Sequence, residues 1–332
     1  MCYITAFKLK SVSYNEIMKI FVTGAAGFIG SQVAENLAAG GHDVVGVDNF
    51  NDYYNQELKR LNAASAQEVG VDIQERDLVE DGSLPADTAV VIHFAAQPGI
   101  SSDVDFETYE RNNIQVTENL IEAAANLERS PFFLYISTSS VYGLEATGDE
   151  TTAPEPASDY GVTKLASEQL ILSHQRRGEF SAASLRLFSV FGPRERPEKL
   201  FPKLLFAAQT GKDFPLYEGS REHVRSYTYV GDVVEAVSAA LDARDVCDGE
   251  IINIGNDVTN TTGEAIEAVE AEMDTKINIV LQPARAGDQK KTAANIKKAK
   301  DILDWKPATS LVDGVAAHAQ WFKENNVIEL ML

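Results

Sequence analysis

The stretch TGAAGFIGSQVAENL, residues 23–37, follows the short apolar run KIFV and decides the fold class. Its glycines Gly24, Gly27 and Gly30 have the spacing G-x-x-G-x-x-G, with Phe28 and Ile29 between the last two. Glycine lets the backbone turn tightly and approach a pyrophosphate, and the N-terminus of a following helix attracts the anion. Because this turn joins a predicted strand to a predicted helix, the sequence indicates a dinucleotide-binding turn formed by these five residues.

Short apolar runs alternate with helical segments from this turn to about residue 190. The runs are KIFVTG, DVVGVD, DIQERDL, AVVIHFAA, FFLYIST and ASLRLFSV, and helices are predicted at about 28–39, 107–128 and 159–177. Strands that are apolar on both faces and alternate with helices are typical of a parallel sheet covered on both sides. We therefore predict an α/β fold with a doubly wound parallel (Rossmann) sheet.

The composition of the sequence changes after this region, because FGPRERPEKLFP is rich in proline and charged residues. VGDVVEAVSAALDA is again helical and EIINIGN is again strand-like. We predict a Rossmann domain over 18–190 to which 231–256 return, and a smaller discontinuous C-terminal α/β substrate lobe made of 191–230 and 257–332. Residues 1–17 are predicted to be a poorly ordered leader, because the first strand begins at about Met18.

Charge and cysteine usage exclude several classes of function. The 332-residue chain has a formal net charge of −21 and no run of Lys and Arg, so its field repels nucleic acid and anionic membranes. Cys2 and Cys247 lie far apart, which suggests neither a disulfide nor a metal site. No apolar run approaches the length of a membrane span, and the first residues lack the pattern of a signal peptide. A cytoplasmic location is expected.

A carboxylate at the end of the second strand selects the cofactor. Asp48 lies 18 residues beyond Gly30, where it would accept both hydroxyls of the adenosine ribose and repel a 2′-phosphate. This position favours NAD over NADP, and the alternative is that Asp48 only forms a turn. Further cofactor contacts are predicted at or just after strand ends, from Asn49, Asp77, Leu78, Ala95 and Ala96.

The helical stretch SDYGVTKLASEQL, residues 158–170, carries Tyr160 and Lys164 one turn apart on the same face. A phenol has a pKa of about 10 and is a poor base at neutral pH. A neighbouring ammonium and a positively charged nicotinamide would lower that pKa, so Tyr160 could act as a general base. The alternative is that Tyr160 and Lys164 are surface residues that share a helix face and have no catalytic role.

Together with the glycine turn and STSSVYG (137–143), this pair resembles the extended short-chain dehydrogenase/reductase family, most closely its nucleotide-sugar 4-epimerases. The resemblance extends from Met18 to about residue 325. It implies that Tyr160 takes the proton of the sugar 4-hydroxyl while hydride passes to NAD⁺, and that the hydride returns to the opposite face of a 4-keto intermediate. A UDP-sugar, either UDP-glucuronate or UDP-glucose, is the implied substrate.

The same resemblance assigns roles around the substrate. Thr138 would hydrogen-bond the sugar 4-oxygen, and Lys164 would hold the nicotinamide ribose. Asn113 would help to hold the active-site helix and the cofactor. Other residues are expected to contact the substrate: Ser139 and Ser140 beside Thr138, Ser189 and Arg196 near the sugar, Arg225 and Arg285 at the diphosphate, and Asp288 as an orienting acid.

The family also implies a homodimer in which helices 107–128 and 159–177 form a four-helix interface. The apolar stripes expected to pair there are Val116, Leu120, Ala123, Ala124 and Leu127 on one helix, and Leu165 and Leu170 on the other.

Two other functions remain open on the sequence. Sister enzymes that dehydrate or decarboxylate the 4-keto sugar carry an acid directly after the hydroxyl residue, whereas Thr138 is followed here by Ser139. A non-catalytic dinucleotide sensor would not need Tyr160 and Lys164. The sugar is also open, because Ser189 resembles UDP-glucuronate epimerases, whereas HFAAQPGISSD lacks an arginine often found in them. Arg196 could bind the sugar carboxylate or the diphosphate.

Overall fold

The computed structural model describes residues 16–99, 104–284 and 289–331. Most of the predicted leader therefore lies outside the described residues, and Met18 is buried at the beginning of the fold. No helix in these three ranges has the length and apolarity needed to cross a membrane.

Fifteen strands are formed by the described residues. They are β1 (Lys19–Thr23), β2 (Asp43–Asp48), β3 (Asp72–Glu75), β4 (Val90–His93), β5 (Phe132–Thr138), β6 (Glu145–Ala146), β7 (Ala182–Leu187), β8 (Val190–Phe191), β9 (Phe214–Tyr217), β10 (Val224–Arg225), β11 (Thr228–Tyr229), β12 (Ile251–Ile254), β13 (Asn260–Thr261), β14 (Ile279–Gln282) and β15 (Lys291–Thr292).

Twelve α-helices accompany these strands in the described part of the chain. They are α1 (Phe28–Ala39), α2 (Gln56–Glu68), α3 (Phe106–Tyr109), α4 (Val116–Ala125), α5 (Asp159–Arg176), α6 (Leu200–Thr210), α7 (Val230–Asp242), α8 (Arg244–Cys247), α9 (Thr262–Glu272), α10 (Lys297–Leu303), α11 (Leu311–Glu324) and α12 (Val327–Met331). A π-helical segment, Glu110–Gln115, joins α3 to α4, and two 3-10 turns cover Ser139–Tyr142 and Ser220–Glu222.

The large sheet has seven strands in the order β12-β7-β5-β4-β1-β2-β3, and every pair in it is parallel. The predicted doubly wound Rossmann sheet is confirmed. The chain runs outward from β1 through β2 to β3 and then returns to β4 on the other side of β1. Thr23 is in register with Val47 of β2 and His93 of β4, so these strands end at one edge. Ligands bind at this reversal in open α/β sheets.

Helix α7 and strand β12 pack with the large sheet, because Val233, Val237 and Ile252 share a hydrophobic cluster with β1 and α1. A second hydrophobic cluster has its centre among α6, α9 and α11, where Leu204, Ile266 and Phe322 are buried. The short parallel pair β9 and β14 contributes to the same cluster. The described residues thus form hydrophobic clusters on the large sheet and a separate cluster, the second core, around α6, α9 and α11.

The helix predicted at about 107–128 is interrupted. Its middle is a π-helical turn, which places one extra residue in the helical ladder and occurs often at functional sites. The expected dimer stripe on this helix is wrong in part, since Val116, Leu120 and Ala124 are buried in the core of their own chain.

Candidate active site

The glycine turn packs too closely for side chains. A Cβ on Gly30 would lie 2.3 Å from the carbonyl oxygen of Gly24, and one on Gly27 would lie 3.0 Å from the same atom. Gly24 has a φ of +67°, and a Cβ there would lie 3.0 Å from the backbone nitrogen of Ala95 at the end of β4. The missing side chains let the first turn of α1 approach the strand ends, which forms a backbone cradle of the kind that holds a pyrophosphate.

A cavity of about 730 Å³ extends from this turn toward the second core. It is lined by these residues predicted to bind cofactor: Gly24, Gly27, Phe28, Ile29, Gly30, Asp48, Asn49, Asp77, Leu78, Ala95, Ala96, Tyr160 and Lys164. It is also lined by these residues predicted to bind substrate: Thr138, Ser139, Ser140, Ser189, Arg196 and Arg225. Arg285 and Asp288 lie outside the described residues. The structure thus brings both predicted sets together in one cavity.

Asp48 at the end of β2 forms a turn and also lines the cavity. Its carboxylate accepts hydrogen bonds from the backbone nitrogens of Ala26 (3.2 Å) and Phe50 (2.9 Å), so it shapes the turn while lining the cavity. Lys59 of α2 lies 3.9 Å from the same carboxylate and donates a 2.7 Å hydrogen bond to Asn51. Burial lowers the pKa of Lys59. Lys59 was not predicted from the sequence as a site residue. The signal that could have found it is a basic residue in the helix that follows the turn after β2.

Tyr160 is half-buried, and partial removal of its phenol from water raises its pKa. The Arg196 guanidinium and a hydrogen bond with Thr138 act in the opposite direction and favour the phenolate. The direction differs from the lowered pKa that the sequence predicted. The prediction counted the charges of lysine and nicotinamide and omitted the cost of removing a phenolate from water.

Lys164 is 3% exposed, and burial lowers the pKa of its ammonium to about 7. Its Nζ lies 4.2 Å from the centre of the Tyr135 ring. Glu168, one turn further along α5, favours the charged lysine but is itself engaged by Arg186 at 2.6 and 3.0 Å. Lys164 is therefore close to the balance between its charged and neutral forms at neutral pH.

The beginning of α5 is fixed against the turn after β5. Ser158 caps the helix by accepting a 3.1 Å hydrogen bond from the backbone nitrogen of Gly161. A Cβ on Gly161 would lie 2.7 Å from the carbonyl oxygen of Ser140, so a glycine is needed for this approach. Thr138 accepts a 3.2 Å hydrogen bond from the backbone nitrogen of Ser140. These contacts hold the hydroxyl of Thr138 beside Tyr160.

Asn113 does not line the cavity, because it is buried behind the cavity wall in the π-helical turn. Its side chain accepts a 2.6 Å hydrogen bond from the backbone nitrogen of Gln97 and donates a 2.9 Å one to Thr163. Its backbone carbonyl accepts from the hydroxyls of Ser167 (2.8 Å) and Thr117 (2.5 Å). Asn113 therefore connects the segment after β4 with α4 and α5.

The two described arginines of the substrate set lie in different surroundings. Arg196 forms a 3.3 Å ion pair with Glu198 and exerts the largest opposing influence on the raised pKa of Tyr160. Arg225 donates to the backbone carbonyls of Val224 (2.9 Å) and Gln289. Arg196 thus lies close to the candidate base, whereas Arg225 is held at the β10 strand.

Further charged and phenolic groups line the Arg196 side of the cavity and were missed by the sequence analysis. They are Tyr53, Glu195, Glu198 and Lys199. The signal for the last three was the charge density of GPRERPEK (192–199), of which only Arg196 was used. The described residues contain no group of three or more His, Cys, Asp and Glu side chains arranged to hold a metal ion.

Known proteins share both the sequence and the fold. The family model for the NAD dependent epimerase/dehydratase family matches residues 20–255. A protein of Bacillus subtilis (strain 168) named uncharacterized UDP-glucose epimerase YtcB is 36% identical over 305 residues, covering 90% of this chain and 96% of its own. UDP-glucuronate 4-epimerase 4 of Arabidopsis thaliana is 31% identical over 334 residues, covering 93% of this chain and 76% of its own.

Solved structures agree with these matches. UDP-glucuronic acid 4-epimerase from Bacillus cereus, in complex with UDP-glucuronic acid and NAD, has a TM-score of 0.86 and 34% identity, covering 93% of this chain and 100% of its own. A dTDP-glucose 4,6-dehydratase from Streptomyces venezuelae with NAD has a TM-score of 0.84 and 26% identity, covering 93% and 98%. The overall fold is therefore common to epimerases and dehydratases. This chain belongs to the NAD dependent epimerase/dehydratase family.

Proposed function

We propose that this chain is an isomerase that catalyses the NAD-dependent 4-epimerisation of a UDP-sugar, UDP-glucuronate or UDP-glucose, through a 4-keto intermediate. The observation that carries the proposal is one cavity lined by Tyr160 and Thr138 together with a glycine cradle and the cation Arg196. The matched family and the relatives named as UDP-sugar epimerases support the same activity.

The residues at the strand ends fit NAD. The close-packed glycines leave room for a pyrophosphate, Asp48 presents a carboxylate for ribose hydroxyls, and Lys164 lines the same cavity. When bound, NAD supplies a reversible hydride acceptor for the carbon that is oxidised. Because the same cofactor is used in each cycle, we expect it to stay bound during purification.

Tyr160 moves the proton in the proposed reaction. The phenolate accepts the proton of the sugar 4-hydroxyl and returns it when the 4-keto group is reduced, while Thr138 donates a hydrogen bond to the same oxygen. The raised pKa of Tyr160 means that its ionisation depends on the groups that favour the phenolate, namely the Arg196 guanidinium and the hydrogen bond with Thr138. Arg225 binds the diphosphate, which does not react, and leaves the sugar free to turn.

Dehydration or decarboxylation is the competing reaction. Elimination from the 4-keto sugar needs a second acid or base, and sister enzymes place it directly after the hydroxyl residue. Ser139 occupies that position here and is 7% exposed. Serine cannot exchange a proton at neutral pH as a carboxylate does, so the geometry favours return of the hydride over elimination.

UDP-glucuronate is the favoured sugar. Among the influences that oppose the raised pKa of Tyr160, that of Arg196 is the largest, which supports a role for its guanidinium near the reacting end of the cavity. A carboxylate on C6 would reach a cation there, whereas a diphosphate role would require Arg196 to lie with Arg225. The relatives named as UDP-glucuronate 4-epimerases agree with this choice.

We also propose that the second core belongs to a substrate lobe formed by 191–230 and 257–332, with 231–256 in the Rossmann domain 18–190. A homodimer with a four-helix interface is supported by two exposed apolar side chains, Phe106 (46% exposed) on α3 and Val162 (42%) on α5. The use of only two separated cysteines supports a cytoplasmic location.

Product analysis by ¹H NMR tests the proposed function. Purified protein incubated with UDP-glucuronate or UDP-glucose should yield the C4 epimer, and a 4-keto-6-deoxy or decarboxylated product would contradict it. Tyr160→Phe should reduce kcat at least about 100-fold while substrate affinity changes only a few-fold. Tyr229→Phe, which removes a phenol hydroxyl in the second core, is the matched control. Preserved turnover in Tyr160→Phe would make Tyr160 a packing residue.

A further inference from the structure

Three polar groups converge on one point beside Gly99. A Cβ built on Gly99 would lie 3.3 Å from the Tyr53 phenol oxygen, 4.0 Å from Arg196 Nη2 and 4.0 Å from Lys199 Nζ. Gly99 has a φ of +87° and lines the same cavity as these three residues. Two cations and a phenol hydroxyl around a point without a side chain form an arrangement that recognises an anion.

The charges around this point favour an anion. Burial raises the pKa of Glu195 well above its ordinary value and so disfavours a negative charge on this carboxyl. His318 of α11 lies 3.9 Å from Glu195, and burial lowers its pKa to about 3, so it adds no positive charge at neutral pH. Glu198 pairs with Arg196, and Lys199 is the second cation beside the same point.

Buried atoms in the same cluster still need partners. Within 16–99, 104–284 and 289–331, Arg196 Nη1 and both carboxylate oxygens of Glu198 are buried without a hydrogen-bond partner. A carboxylate oxygen of Glu198 forms an ion pair with Arg196 Nε but no hydrogen bond with it. Unpaired buried polar groups cost free energy, and native proteins usually satisfy them with a partner or a ligand.

Building on the proposed function, we propose that Lys199 is a second cation that binds the C6 carboxylate of the UDP-sugar together with Arg196, and so determines specificity for a uronate. We choose the sugar carboxylate as the anion because of where this point lies relative to the candidate base. Tyr109 connects this point with the candidate base, because its hydroxyl donates a 2.7 Å hydrogen bond to the Gly99 carbonyl and its ring centre lies 6.4 Å from that of Tyr160. The anionic group that a UDP-sugar carries at that end is the carboxylate of a uronate.

The protonation of Lys199 gives the proposal a pH signature. Burial lowers the pKa of Lys199 to about 8, so the side chain is charged below this pH and neutral above it. The preference for UDP-glucuronate over UDP-glucose should therefore be largest below about pH 8 and decline above it. The charged or titratable groups that face Lys199 or its neighbours are Glu195, Arg196, Glu198 and Lys203 on its own segment, Tyr53 from the segment after β2, and His318 from α11.

The test compares kcat/KM for the two sugars in NAD-loaded Lys199→Met. We expect a loss of about 10- to 100-fold for UDP-glucuronate and a change within about threefold for UDP-glucose, because a charge-assisted contact is lost with one sugar only. The decline of the sugar preference above pH 8 should disappear in this variant. Lys199→Arg should restore part of the preference, and Lys323→Met, which removes an exposed charge on α11, should change neither sugar.

Equal losses for both sugars, or none, would overturn the proposal and leave Lys199 as a structural partner of Glu195 and Glu198. If the variant does not fold, calorimetric titration of the wild-type protein with each sugar at pH 6.5 and pH 9 gives the same comparison, and affinities that change in parallel would also overturn it. Wild-type protein that epimerises UDP-glucose alone would reject the role of Lys199 and keep the epimerase function. Protein that epimerises neither sugar would reject the proposed function itself.

Discussion

Arg196→Met separates two effects that the structure assigns to one guanidinium. The side chain is 13% exposed and forms a 3.3 Å ion pair with Glu198, and methionine has a similar length without the charge. The first effect acts on Tyr160, whose raised pKa is opposed most strongly by Arg196. Without this cation the pKa rises further, so a smaller fraction of the phenol is ionised. Turnover of both sugars should fall, and by a similar factor at pH 6 and pH 9, because both values lie below the raised pKa of the phenol.

The second effect concerns the sugar carboxylate alone. Loss of a charge-assisted, bidentate contact costs about 2–4 kcal/mol in kcat/KM, which corresponds to about 30- to 1000-fold at about 1.4 kcal/mol per tenfold change. UDP-glucose lacks the carboxylate and should not show this additional loss. The ratio of kcat/KM for UDP-glucuronate to that for UDP-glucose removes the common effect on Tyr160 and reports the contact directly.

The assay measures kcat/KM for both sugars from pH 6 to pH 9 in the wild-type protein, Arg196→Met and Arg196→Lys. The lysine variant keeps the charge but not the bidentate geometry, so its ratio should lie between the other two. A ratio that stays constant in Arg196→Met, with equal losses for both sugars at every pH, would assign Arg196 to the diphosphate and refute the reasoning from its position beside Tyr160.

Three further outcomes are expected. Thr138→Val should lower kcat about 10- to 100-fold and move the rise of activity to higher pH, because a hydrogen bond that favours the Tyr160 phenolate is lost. Thr138→Ser should recover most of the lost activity. An unchanged pH profile in Thr138→Val would exclude this role. Gly30→Ala should lose co-purified NAD and lower the Tm by several degrees, since its Cβ would lie 2.3 Å from the Gly24 carbonyl oxygen; retained cofactor would contradict the cradle. Light scattering should give twice the chain mass of 36.2 kDa, and Phe106→Glu with Val162→Glu should halve it, whereas a monomeric wild type would refute the interface.

The sheet could be predicted because its signals are local. Apolar runs and the glycine turn indicated β1, β2, β4 and β5 directly, and the parallel order follows from alternation with helices. The apolar stripe on α4 was misread for the opposite reason. Val116 and Leu120 have the spacing of a helix face, but this spacing does not show whether the face packs on its own core or on a second copy of the chain.

Candidate site residues that belong to a recognisable sequence motif, such as Tyr160 and Asp48, could be predicted from the sequence. The direction of the Tyr160 pKa was not, because it depends on desolvation and on groups that are distant in sequence, such as Tyr53 and Arg196. Lys199 was missed for a similar reason. Lys199, Tyr53 and Gly99 lie close together in the structure but come from three segments that are separated by about 50 to 150 residues. No local sequence pattern predicts this contact.

The most direct test of the central claim is the hydrogen found at C4 of the product formed in D₂O. NAD-loaded protein is incubated with UDP-glucuronate in D₂O, and the epimer is examined by ¹H NMR and mass spectrometry. Oxidation and reduction at C4 within one binding event transfers the original hydrogen as a hydride, while Tyr160 exchanges only the oxygen-bound proton. The expected product is therefore the C4 epimer with protium retained at C4. A product with deuterium at C4 would show that this hydrogen leaves as a proton, and would contradict the proposed reaction.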